Sequence, residues 1–304
     1  GASACSNNST GWNAAYDPTT GTLTLDGYSG GSIRTGGTDA DITVVLKGTN
    51  TINDGSLMND MGGDITITSN SVGTLSITNT LSNSNPAIGI EAGLSGSYQT
   101  GNVTITGDAK VTINMTNNGT STWEKAYGIY AKENITISGD ASVDITCKTP
   151  YNTARFGDYC NGLYAKNNVT IDTSGTIKID VKNAGGDDAY SFGIYPMSGA
   201  TLTKVGNMEV QWKKGVSSGG AVYKGVSFDT STYAVYVDEA NCTATYTPKG
   251  TTPTTITGEL AVAIAAPVKG KAPQSTIAAT EQYTGTIAWE GNPTTFAADT
   301  AYTA

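Results

Sequence analysis

Asn102-Val-Thr-Ile-Thr, Asn134-Ile-Thr-Ile-Ser and Asn168-Val-Thr-Ile-Asp are three copies of one pentapeptide, and an earlier copy is Asp64-Ile-Thr-Ile-Thr. A second strand-like segment follows each: Thr74-Leu-Ser-Ile-Thr, Lys110-Val-Thr-Ile-Asn, Ser142-Val-Asp-Ile-Thr and Thr176-Ile-Lys-Ile-Asp. A third completes the cassette: Ile88-Gly-Ile-Glu-Ala, Tyr127-Gly-Ile-Tyr-Ala, Asn161-Gly-Leu-Tyr-Ala and Phe192-Gly-Ile-Tyr-Pro. Apolar and polar residues alternate along these segments, the period of a half-buried strand. Three short strands per repeat, joined by Gly, Asn and Ser turns, suit one rung of a solenoid whose inward residues stack on those of the next rung. The fold expected is all-β: a right-handed parallel β-helix with three strands per rung, spaced by about 4.8 Å. The inward columns expected are Ile65-Val103-Ile135-Val169, Leu75-Val111-Val143-Ile177 and Ile90-Ile129-Leu163-Ile194. A β-sandwich also uses short strands, but it does not require the same residues in the same slots of every cassette.

Outward from the regular repeats the pattern loosens. Gly21-Thr-Leu-Thr-Leu and Asp41-Ile-Thr-Val-Val-Leu read as early rungs, and Tyr233-Ala-Val-Tyr-Val as a late one. Irregular end rungs are expected where a solenoid is capped. The β-helix domain is placed at 1–250. Thr251-Thr-Pro-Thr-Thr marks a linker at 251–257. Residues 258–304 read as a small β-sandwich-like module, either cut short of the roughly 100 residues of a full sandwich or packed on the β-helix instead.

Composition limits the function classes. The 304 residues carry 17 Lys plus Arg, 26 Asp plus Glu, no His and a net charge of −9. Charged residues make up 14%, against roughly 25% in an ordinary soluble domain, so Thr, Ser, Asn and Gly must cover the surface. The acidic balance argues against nucleic acid as a partner. No apolar run approaches the roughly 20 residues that span a bilayer, so no membrane insertion is expected. Without His, a mixed Cys/His zinc site is excluded. Cys147 and Cys160 end one excursion between strands, and the pair reads either as a disulfide or as two buried thiols.

If Ile129 points inward, strict alternation turns Gly128, Tyr130 and Lys132 outward, followed by Gly162, Tyr164 and Lys166, then Gly193, Tyr195 and Met197. The preceding rung presents Gly89, Glu91 and Gly93. This predicts a ladder of Tyr130, Tyr164 and Tyr195, with glycines opening a shallow groove beside it. Aromatic faces can stack on the apolar faces of sugar rings, and the phenol adds a polar handle. The excursions leading into these strands carry Trp123, Tyr159, Asp187 and Asp188, which complete the candidate ligand-binding set with Lys132, Lys166 and Glu91. The plainer reading is that like residues stack only to stabilise adjacent rungs. No cofactor is required. Calcium is the one left open, by the oxygen-rich stretches Asn53-Asp-Gly, Asn59-Asp, Asp64 and Asp187-Asp188, which also read as ordinary turns. The Asn-x-Ser/Thr triplets at Asn102, Asn134 and Asn168 open strands and read as ladder residues, not glycan sites.

Two segments resemble known proteins. The tail, Ala266-Pro-Val-Lys-Gly-Lys-Ala-Pro through Tyr283-Thr-Gly-Thr-Ile-Ala-Trp and Phe296-Ala-Ala-Asp-Thr-Ala-Tyr-Thr-Ala, resembles the start of an Ig-like module repeated in large surface proteins of Gram-positive anaerobic bacteria. The front, with Trp12, Tyr16-Asp-Pro-Thr-Thr-Gly-Thr-Leu-Thr-Leu and Asp41-Ile-Thr-Val-Val-Leu-Lys-Gly-Thr-Asn-Thr-Ile, is similar to β-helical surface proteins of the same bacteria. Some of those are called carbohydrate-binding and hold calcium. The resemblance implies an extracellular location on the cell surface and a larger, multi-domain parent.

The function expected is therefore non-catalytic binding or adhesion, with a polysaccharide or a host or cell-wall glycan as partner. The alternatives are a structural spacer, a polysaccharide lyase or hydrolase, and an ice-binding protein. Catalysis is disfavoured because outward carboxylates are few and scattered (Glu91, Asp144, Asp172, Asp180) and hydrolysis of a glycosidic bond takes a pair of them. Ice binding rests on the Thr-x-Thr rows at Thr66, Thr104, Thr136 and Thr170, which Ser138 and Asp172 interrupt.

Overall fold

The computed structural model describes residues 13–35, 39–59, 61–83, 85–93, 100–119, 125–149, 159–184, 190–214, 219–249, 262–264 and 275–277; of Tyr159, Asn183, Tyr190 and the last two segments it describes the backbone only. The chain is all-β, with no helix among the described residues.

Each cassette contributes to three parallel ladders. Strands Ile42–Lys47, Ile135–Gly139, Asn168–Thr173 and Gly199–Lys204 belong to the first. Thr49–Asn53, Ser142–Thr149, Thr176–Ala184 and Asn207–Gln211 belong to the second. Ile65–Leu81 and Val103–Asn117 run through both, so the two ladders merge into one 16-stranded sheet. The third ladder is a separate seven-stranded sheet that includes Leu57–Asn59, Ala87–Ala92, Lys125–Ala131, Tyr159–Ala165, Tyr190–Pro196 and Gly220–Val222.

The register follows the sequence repeat. Val103 lies opposite both Ile65 and Ile135, and Ile135 opposite Val169. Val111 lies between Leu75 and Val143, with Ile177 next. Ile129 lies between Ile90 and Leu163, with Ile194 next. All twelve of these side chains are buried and belong to one continuous core. Removing each large aliphatic side chain from water is worth about 1.5–3 kcal/mol before entropy is charged against it, so the columns dominate the stabilisation.

Antiparallel strands close both ends of the merged sheet. Ala14–Asp17 pairs with Thr22–Asp26. Thr243–Pro248 pairs with Asn207–Gln211 on one side and Tyr233–Asp238 on the other. Trp212, Tyr233 and Tyr246 are buried at this second end, and burial pushes the Tyr246 phenol up to about 12. In the tail, Val262–Ile264 pairs antiparallel with Ser275–Ile277.

The corner before the first ladder carries a polar column. Asn102 donates its backbone N–H and its Nδ2 to Asp64 Oδ1, at 2.8 and 2.9 Å. Asn134 does the same to Asn102 Oδ1, at 3.1 and 2.9 Å. Asn168 repeats the pattern on Asn134 Oδ1, at 3.1 and 3.4 Å. The triplet asparagines are ladder residues, each amide engaged with the next rung.

One expectation fails. In the third ladder the register runs Ala126, Tyr127, then Ile129, stepping over Gly128. Strict alternation breaks there. Tyr127 and Tyr130 lie on the same outer side, their rings 5.5 Å apart, while Gly128 is packed against the core. A Cβ on Gly128 would lie 2.4 Å from Ile145 Cγ2, and on Gly162 2.3 Å from Ile179 Cγ2. These glycines do not open an outer groove. They let the third strand approach the isoleucine column of the second ladder.

Candidate functional site

The outer side of the third ladder carries an aromatic strip. Tyr130 pairs in register with Tyr164, and Tyr164 with Tyr195. Their rings stack almost parallel, with centroids 5.0 and 5.4 Å apart and interplanar angles of 3° and 9°. The backbone imposes this distance, since neighbouring strands lie about 4.8 Å apart. The stack continues to Tyr223, at 4.2 Å and 7° from Tyr195. Two further rings brace it edge-on. Tyr127 meets Tyr130 and Tyr164 at 5.5 and 5.4 Å, and Phe192 meets Tyr195 and Tyr223 at 5.3 and 5.2 Å. Tyr127 and Phe192 are buried, whereas the four stacked tyrosines remain part-exposed.

Stacking has a chemical consequence. Each ring of the stack turns at least one face onto a neighbouring ring, and Tyr164 and Tyr195 turn both. The strip therefore offers ring edges and phenol groups rather than the open faces that alternation alone suggested. The Tyr164 phenol approaches Met197 Sδ at 3.8 Å.

Lysines flank the two ends of the strip. Lys132 Nζ lies 5.8 Å from the Tyr130 centroid, and Lys224 Nζ 5.4 Å from that of Tyr223. Lys224 also donates to the Met197 carbonyl at 2.9 Å. Lys132 is 8% exposed, not the open surface lysine expected. Burial lowers its pKa, the neighbouring Lys166 ammonium lowers it further, and the Glu91 charge opposes both. Glu91 holds the slot preceding Tyr130 in the ladder, yet it is 1% exposed, a covered carboxylate and not the open one expected.

Tyr223, Tyr127 and Phe192 were not among the residues expected. Tyr127 and Phe192 stand just before the cassette glycine, and the break at that glycine carries them outward. Tyr223 belongs to Ala221-Val-Tyr-Lys, which lacks the Gly-Ile signature; its Tyr-Lys ending was the available signal. Trp123, Asp187 and Asp188 lie outside the described residues, and of Tyr159 only the strand backbone is described, in register with Lys125 and Tyr190.

The remaining candidates resolve as follows. Cys147 and Cys160 are buried and present as thiols. No group of three or more His, Cys, Asp or Glu side chains converges to hold a metal among the described residues. Asn59 Oδ1 accepts from the Thr35 hydroxyl at 2.9 Å and Asp64 Oδ1 from Asn102, so these oxygens serve the frame. On the first ladder a hydroxyl column runs Thr22, Thr43, Thr66, Thr104, Thr136, Thr170, Thr201 and Ser227. Its neighbour is broken at Val45 and Asp172. A shallow open depression of about 310 Å³ on the second ladder is lined by Lys110, Thr112, Asp144, Lys178 and Glu209 among others. No helix is long and apolar enough to cross a membrane among the described residues.

No family model, no curated protein and no solved structure matches the chain.

Proposed function

We propose that the chain is a non-catalytic, extracellular adhesion module of a bacterial cell-surface protein, and that it binds polysaccharide along the tyrosine strip. In this reading the three ladders wind as a right-handed parallel β-helix with three strands per rung, carried within the larger surface protein of a Gram-positive anaerobe that the sequence resembles. The observation that carries the proposal is the strip itself: Tyr130, Tyr164, Tyr195 and Tyr223, part-exposed and in register over four rungs. A row of phenols at the spacing of the rungs presents repeated hydrogen-bonding groups to a ligand that is itself a repeat. Each contact is weak, and a chain that engages several at once gains by avidity. Binding without turnover is the reading the sequence favours, since the chain has no His and its outward carboxylates Asp144, Asp172 and Asp180 are scattered along it.

A second reading, the structural spacer, is favoured by the rings covering one another's faces, because the same stack stabilises the fold with no ligand at all. Phenylalanine separates the two. Replacing all four tyrosines by Phe keeps the stack and removes the phenols. The experiment is a glycan-array screen, with and without calcium, of the parent chain beside this quadruple Phe variant. Adhesion through the strip predicts that the variant stays folded and loses at least about tenfold in affinity, since each lost hydrogen bond is worth about 0.5–1.5 kcal/mol. Absence of any glycan bound by the parent chain leaves the spacer reading.

A further inference from the structure

We propose that Cys147 and Cys160 are a disulfide-forming pair that staples the corner between the second and third ladders of a single rung. Cys147 lies on Ser142–Thr149 and Cys160 on Tyr159–Ala165, and both are inward, at 1% and 0% exposure. Their contacts cross. The Cys147 thiol donates to the carbonyl of Asn161, the residue after Cys160, at 3.7 Å. The Cys160 sulfur lies 3.6 Å from the hydroxyl of Thr149, two residues after Cys147. Each sulfur thus already touches the strand that bears the other. In the preceding rung the same slots hold Met115 and Ala126, and the slot following Cys160 holds Ser191, so the chemistry is confined to one rung of the stack. The bond would close residues 148–159 into a ring whose two ends are fixed strands.

The chemistry is thiol–disulfide exchange with a disulfide oxidant, such as oxidised glutathione. One S–S bond forms in the protein and one breaks in the oxidant. The two protein thiols are oxidised, and the oxidant leaves as two thiols carrying the electrons and protons. In the folded chain the Cys147 thiol is poorly reactive. Burial, then the Cys160 and Asp180 charges, raise its pKa well above the ordinary thiol range, and the thiolate is the attacking species. The bond therefore forms while the corner is still assembling and is sealed by the packing that follows. That behaviour suits a structural bridge made in an oxidising compartment rather than a catalytic dithiol.

The test is to unfold and refold the full chain with either oxidised glutathione or excess reductant, alkylate it in denaturant, and map the peptides without reduction. The expected result is a peptide pair joining Cys147 to Cys160, lighter by two hydrogens. The oxidised chain should also melt about 5 °C higher than the reduced one, from the constraint on a loop of this length. In a Cys147→Ala/Cys160→Ala variant the melting temperature should not depend on redox conditions. Two alkylated thiols after oxidising refolding, or a bond from either residue to Cys5 or Cys242, would overturn the proposal. Should the double variant fail to fold, the peptide map of the parent chain decides the matter alone.

Discussion

Replacing Gly128 by Ala tests the account of the third ladder most directly. The new methyl carbon would lie 2.4 Å from Ile145 Cγ2 and 2.7 Å from the Gly162 carbonyl oxygen. Carbon atoms are at their best separation at about 3.5–4.0 Å, so the first contact is short by roughly 1 Å. Ile145 cannot retreat freely. It lies in register between Ile113 and Ile179, and all three side chains are 0% exposed. Nor can the carbonyl, which belongs to the adjacent strand of the same sheet. Overpacking of this kind costs about 1–3 kcal/mol, and two clashes, one against backbone, place Gly128→Ala at about 3. For a chain of this size that is a fall of about 5 °C in melting temperature. The expected effect repeats at Gly89, Gly162 and Gly193, whose added carbons would meet Ile113, Ile179 and Val210 at 2.4, 2.3 and 2.1 Å.

The control is Gly199→Ala, where the nearest atom is Asn168 Oδ1 at 3.9 Å and the change should stay within about 0.5 kcal/mol. Thermal unfolding by circular dichroism, with urea titration as a second measure, reads both. Coupling gives a sharper criterion: Ile145→Ala removes the clashing methyl, so the double variant should cost at least about 1 kcal/mol less than the sum of the singles. A Gly128→Ala protein melting within about 2 °C of the parent would refute the inward assignment and restore the outer groove that simple alternation predicts.

Other consequences can be measured on the same footing. Asn134→Ala deletes the bonds at 2.9, 3.1 and 3.4 Å that tie three rungs at the corner and should cost about 1–3 kcal/mol in urea unfolding. Asn134→Asp should be destabilised at neutral pH, where the carboxylate cannot donate to Asn102 Oδ1, and should recover towards acid as protonation restores a donor. Tyr164→Ala removes two stacked contacts and one edge contact, about 1.5–4.5 kcal/mol beyond lost area, while Tyr164→Phe should leave the melting temperature nearly unchanged. Asp229 and Asp238, at the turns of the closing strands, have pKa values lowered by hydrogen bonds from Ser231 and from Asn241 respectively. A lowered folded pKa adds stability above the ordinary value of 3.8 that is lost as pH falls through the folded value. The protection of amides in 229–248, taken relative to their intrinsic exchange rates, should therefore fall below about pH 4 before that of the central rungs, and Asp229→Asn should blunt the effect.

The three inward columns were legible because a buried slot tolerates few residue types, so the cassette repeats Ile, Val and Leu at fixed offsets. The asparagine ladder was legible for a related reason: a corner that must satisfy the next rung keeps an amide or a carboxylate. The glycine break was not. A period of two assigns Gly128 and Ile129 to opposite sides, and only the close approach to Ile145 shows both turned inward. The error spread from there, giving the strip an outer groove and leaving Tyr127 and Phe192 out of it. Ring orientation was equally out of reach, since a column of tyrosines predicts proximity but not whether the rings lie face to face. Glu91 and Lys132 occupied the expected slots, and their burial depends on neighbours that the repeat does not encode.

The asparagine column also has a direction, and the direction bears on the strip. An asparagine in the column donates to the preceding rung through its backbone N–H and its Nδ2 and accepts from the following one through Oδ1. Asp64, whose side chain only accepts from Asn102, keeps the link to the preceding rung through its own N–H, which reaches Asp41 Oδ1 at 2.9 Å. A one-residue slip along the strand would carry each amide off its acceptor, at about 0.5–1.5 kcal/mol for each bond lost. The corner thereby locks the register of the first ladder, and the continuous core carries that register to the third. The tyrosine spacing is consequently a property of the frame and not of the tyrosines. A ligand that engages several phenols must match a fixed interval, so the Phe variant should lose affinity without losing selectivity of fold. A corner variant such as Asn134→Asp should instead weaken binding only under conditions in which it loosens the rungs.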